Sequence, residues 1–136
     1  PDRGRAMSRP TNAPTAAGTA RAAAEAIRAL NHLTFRPDAR AEWEMPGDVY
    51  AVIGALAELV ERLPQTLGQA GELLEALHAS GRLRHDSGDG EQLAADVAAF
   101  GIETQEAAGT AGRLADGLRH AHNALARIGH RDEEER

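Results

Sequence analysis

Histidine, carboxylate and aromatic side chains gather toward one end of any helical arrangement of this chain. His32, Trp43, Asp48, Tyr50 and His122 are the candidate residues, with His120 and Asn123 close by. Imidazole and carboxylate together bind divalent metals or hold a polar ligand, and a tryptophan with a tyrosine supplies flat apolar walls. His120 and His122, however, stand two apart on a helix and point about 200° apart, so they cannot share one ion there. The plainer alternative is that Trp43 caps a core and the histidines stand at its rim.

A second group is Glu75-Ala-Leu-His78. It matches the Glu-x-x-His unit of di-iron carboxylate bundles, with both side chains on one helical face. Such bundles need two of these units and two further glutamates. No second unit occurs: Asp116 and His120 have the wrong spacing, and Glu72 or Glu103 would be arbitrary additions. Asp86-Ser-Gly-Asp-Gly90 is only superficially a calcium loop, because Val97 stands at the twelfth place, where a bidentate Glu is required. Asp89 with Gln92 reads instead as a helix capping box. Cysteine is absent, and Ser8, Ser80 and Ser87 fall in termini or loops without a serine-centred motif. No catalytic, cofactor-binding or metal-binding residue is therefore assigned, and the expectation is that the protein is not an enzyme.

Composition narrows the classes further. The net charge of −6 and an aromatic content of 3% argue against nucleic acid, which asks for basic surface and stacking rings. All fifteen basic residues are Arg. The longest apolar run, 49–60, contains Glu58 and is too short to span a bilayer, so no membrane partner is expected. The lack of cysteine suits the cytoplasm. With 136 residues the chain has room for one domain with a core of Leu, Ala, Val and Ile.

The elements that must position these groups are helices. Residues 1–11 read as a disordered leader or tag, with Met7 as a natural start. Residues 12–130 read as a single helical domain and 131–136 as a charged tail. The first helix should begin near Asn12, with Pro14 in its first turn and a seam from Ala16 to Leu33, and should end before Pro37. The second opens at Pro46–Asp48, carries Pro64 as a kink or a break, and stops at Ser80–Gly81. The third, about 92–129, has the most regular pattern. Its apolar or small positions are Leu93, Val97, Phe100, Thr104, Ala107, Ala111, Leu114, Leu118, Ala121, Leu125 and Ile128, in alternating steps of four and three.

These pieces predict an all-α fold: a long antiparallel hairpin of helices two and three, with the shorter first helix making a three-helix bundle at one end. Pairing outward from the short connection sets Leu67–Gly71 against Phe100–Thr104, and Tyr50 near Ala121. Gly101, Gly109 and Gly112 then allow a close backbone approach near Pro64. The other end has two helices and no third, leaving Leu67, Leu74, Leu77, Leu93, Val97 and Phe100 as an apolar strip for a homodimer. The functional expectation is a helical interaction or scaffold protein that presents helix faces to an unidentified protein partner. A ligand- or metal-responsive module at the His/Trp end is the second reading, and a carboxylate-bundle metalloenzyme the third.

Asn31-His-Leu-Thr34, Trp43-x-x-Pro-Gly-Asp-Val-Tyr50 and Leu63-Pro-Gln65 resemble small Ala/Arg-rich helical proteins of actinobacteria that have no assigned role, over about residues 20–130. The resemblance implies an all-helical fold and no particular site. The tryptophan loop is similar to that of WXG-type secretion substrates, but Met45 stands where their glycine belongs, and the long third helix departs from their hairpin.

Overall fold

The computed structural model describes residues 13–35 and 45–131. Among them are three α-helices and no strand: α1 (Ala16–Thr34), α2 (Pro46–Ala79) and α3 (Gly90–Leu125). The chain divides into two compact units, Pro1–Glu44 and Met45–Arg136.

In the first unit, α1 starts at a threonine cap rather than at Asn12, which lies outside the described residues. Thr15 accepts a bond from the Gly18 N–H at 3.0 Å, so Pro14 precedes the cap instead of occupying the first turn. A cap three residues into a helix requires its hydroxyl close to that turn's backbone, and a Cβ on Gly18 would lie 2.8 Å from it. Pro37 and Trp43 also lie outside the described residues.

The second unit is a long hairpin. Pro46 opens α2, and Asp48 turns its carboxylate back to the Met45 N–H at 3.0 Å, satisfying a donor at the positive helix end. The helix runs unbroken through Pro64, so the break is excluded. It closes in a Schellman turn: Arg82 N–H donates to Leu77 O, Gly81 N–H to His78 O, and Gly81 takes the left-handed φ of 73° that a side chain would resist. Asp89 caps α3 through the Glu91 N–H at 2.9 Å. The reciprocal half of the expected capping box goes elsewhere, since the Asp89 N–H donates to Ser87 Oγ rather than reaching Gln92.

α2 and α3 pack against each other along their lengths, about 50 Å each. Their register is displaced by about one turn from the symmetric pairing: Gly71 faces Thr104 rather than Phe100. α3 thus begins beyond the end of α2. The connection runs back beside its first turns, where Leu83 and His85 become half-buried.

Among the described residues, Ala57, Val60, Val97, Ala111 and Ala115 are buried. On α3 the face toward α2 reads Val97, Gly101, Thr104, Ala108, Ala111, Ala115, Leu118, His122, Leu125, all buried or half-buried. The expected seam shares every second member of that row, Val97 to Leu125. Its other members, Phe100, Ala107, Leu114, Ala121 and Ile128, lie outside. Small side chains win the contact because they let the two backbones come near, while Phe100 and Leu114 would hold them apart. Close approach does not fall at Gly109 or Gly112: a Cβ on Gly109 would meet only the Arg113 guanidinium at 3.9 Å, and one on Gly112 nothing within 4 Å. It falls at Gly54.

Candidate functional site

At the open end of the hairpin, the His122 ring stacks on Tyr50 with centroids 3.8 Å apart and planes 22° from parallel. The same ring covers Gly54, where a Cβ would lie 2.9 Å from His122 Nε2. Two of the candidate ligand residues are therefore in contact, with the His122 ring packed against both Tyr50 and Gly54. Beside them, Pro46, Gly47, Tyr50, Leu125, Ala126 and Ile128 line a shallow notch of about 250 Å³. Asp48 is committed to the helix start. His32 belongs to the first unit, beside Arg28, Asn31 and Phe35, and Trp43 lies outside the described residues.

A bidentate ion pair closes one side of this half. Arg119 Nε and Nη2 donate to Glu61 Oε1 and Oε2 at 2.6 and 2.9 Å. The hydrogen bond from Arg119, reinforced by its charge and that of Arg62, holds the Glu61 carboxyl below its ordinary range against a smaller desolvation cost. Glu61 raises the Arg119 guanidinium in turn, again chiefly through the hydrogen bond.

The closed end holds a constellation that spacing rules did not bring together. His85 Nδ1 lies 2.6 Å from Ser87 Oγ, and its Nε2 lies 2.9 Å from Asp96 Oδ2. Because the Ser87 N–H also donates to Nδ1, at 3.1 Å, the neutral ring carries its proton on Nε2 and gives it to Asp96. The order Ser–His–Asp is that of a hydrolase triad. Here, though, the N–H groups flanking the hydroxyl are occupied: Ser87 by the ring, Gly88 by His85 O, and Asp89 by Ser87 Oγ. None is left to receive an oxyanion. The contacts tie the connection to α3.

Of the six residues expected to form an open strip, Val97 is buried and Leu67, Leu74, Leu77 and Leu93 are half-buried. The α2–α3 contact continues to the closed end and takes them up, helped by Leu83. Only Phe100 stays outside, 39% exposed. Glu75 approaches α3 at Gly101, in a small cleft shared with Glu72, Thr104 and Gln105. Among the described residues, no three His, Asp or Glu side chains converge as a metal ion requires.

What stands out is apolar surface. Phe100 and Leu114 on α3 and Ile128 just beyond its end follow one another at intervals of fourteen residues, with exposures of 39%, 53% and 57%. At about 100° per residue, Leu63 on α2 is turned to that same side, opposite the Glu61–Arg119 pair. Leu63 is 40% exposed. No helix among the described residues is long and apolar enough to cross a membrane. No protein-family model matches this chain, and no significant match appears among curated proteins or solved structures.

Proposed function

We propose that this protein is a non-enzymatic helical interaction protein of the cytoplasm, a homodimer that offers long helix faces to a protein partner. The observation that carries the reading is the apolar surface outside the hairpin contact: the buried residues are small, Ala57, Val60, Val97, Ala111 and Ala115, while Phe100, Leu114 and Leu63 stay exposed. Two helices share a single interface, and a core whose buried members are three alanines and two valines is a small one for such a unit. Burying a Leu or Phe from water is worth about 1.5–3 kcal/mol, so association that covers this face adds directly to stability. Light scattering tests it. A mass of two chains, reduced to one by Leu114→Glu, supports the proposal; a monomer at micromolar concentration, unaffected by that substitution, refutes it.

The Tyr50–His122 stack beside its notch favours a second reading, a ligand-responsive module at the open end. A thermal-shift screen of small polar ligands would then give a response that His122→Ala abolishes. Silence across the screen would remove that reading.

A further inference from the structure

We propose that the dimer is built on α3 itself: the exposed line Phe100–Ala107–Leu114–Ala121–Ile128 packs against the same line of a second copy, antiparallel, with the twofold axis at Leu114. The inference rests on the homodimer reading and adds to it an orientation and a register.

Three observations select this occupant. The line repeats at seven residues, so it stays in phase with a neighbouring helix over its whole length, and it shares its inner neighbours with the row that already packs on α2. α3 thus carries two seams, and only one is filled within the hairpin.

The order of sizes is symmetric about Leu114. Large Phe100 and small Ala107 precede it; small Ala121 and large Ile128, in the turn just after the helix, follow it. Reversing one copy about Leu114 sets Leu114 on Leu114, Ala107 on Ala121 and Phe100 on Ile128. Large then meets large at the centre and at both ends, with small against small between, which keeps the two axes parallel.

Charge decides the direction. The solvent flank beside the line holds Glu103 and Glu106 in its first half, Arg113 next to the centre, and His120 and Arg127 in its second half, all exposed. Antiparallel pairing brings Glu103 to the second copy's Arg127 and Glu106 to its His120. Antiparallel pairing leaves one like pair on this flank, Arg113 beside the second copy's Arg113 at the axis, whereas parallel pairing would set every glutamate and every arginine against itself, a repulsion that coiled coils use to reject an orientation.

The chain has no cysteine, so single replacements report the geometry without a background. Full-length Leu114→Cys is oxidised in solution beside Leu73→Cys, an exposed control on α2 (62%), and Phe100→Cys. The expected result is a disulfide-linked dimer for Leu114→Cys, none for Leu73→Cys, and none for Phe100→Cys unless it is mixed with Ile128→Cys. Native mass is measured on the same samples before oxidation. A native dimer in which Leu114→Cys stays unlinked, or in which Phe100→Cys links to itself, overturns the antiparallel α3 interface while leaving the homodimer standing. A native monomer, as when a segment of the same chain covers the line, overturns both.

Discussion

Gly54 is the point where the register of the hairpin is most sharply exposed to test. In the middle of a helix, Gly→Ala ordinarily stabilises by about 1 kcal/mol, because alanine restricts the unfolded chain and suits the helix. At Gly54 the new methyl would lie 2.9 Å from His122 Nε2 and 3.3 Å from its Cδ2, inside contact distance. The ring must leave its position on Tyr50. Displacing it from a rotamer minimum costs about 0.5–1.5 kcal/mol, and losing the stack about as much again. Gly54→Ala should therefore be neutral to destabilising by about 2 kcal/mol, whereas in a His122→Ala background it should stabilise by about 1 kcal/mol. Urea unfolding of the four proteins in this cycle gives the coupling, expected at about 1–3 kcal/mol. A Gly54→Ala gain that is the same in both backgrounds would mean that His122 does not lie over Gly54, and the placement of α3 along α2 would fall with it.

Gly109 is the contrasting case: with only a guanidinium 3.9 Å from its added Cβ, Gly109→Ala should stabilise by about 1 kcal/mol in the same assay. Glu61 is held below its ordinary range when folded, so the pair's contribution is full above that range and is lost as pH falls from it down through the lowered folded value. Glu61→Gln should flatten the acid side of the stability–pH curve and leave its alkaline side parallel to the wild type. His85→Ala should leave helical circular dichroism unchanged while the Ser87 and Asp89 amides exchange faster with solvent, because Ser87 N–H loses its acceptor and Ser87 Oγ its anchor.

The helices were legible where the backbone demands particular residues. Pro46 at a first turn, Gly81 in a left-handed stop and Asp89 at a cap each leave a chemical mark that needs no tertiary knowledge. The start of α1 was missed because Asn12 and Thr15 are equivalent as caps on paper, and only the close turn at Gly18 separates them. The facing of α3 was missed for a different reason. Hydrophobicity points to Phe100 and Leu114, but a helix pair with close axes selects residues that take little space, and Gly101, Ala108 and Ala115 give no signal on a hydropathy pattern. Tyr50 and His122 could be placed at one end by counting along the hairpin, although nothing in their types announced that they would stack on each other. The Ser87–His85–Asp96 cluster joins a turn to a helix eleven residues on, a distance no local rule spans.

The central claim is that the outer apolar line of the hairpin is covered by association. Its most direct test is the melting temperature as a function of protein concentration, because a fold completed by a second chain is stabilised by mass action. Over about a hundredfold range of concentration the melting temperature should rise steadily, and Leu114→Glu should lower it and remove the dependence. A melting temperature that stays constant over that range, in both the wild type and Leu114→Glu, would contradict the claim.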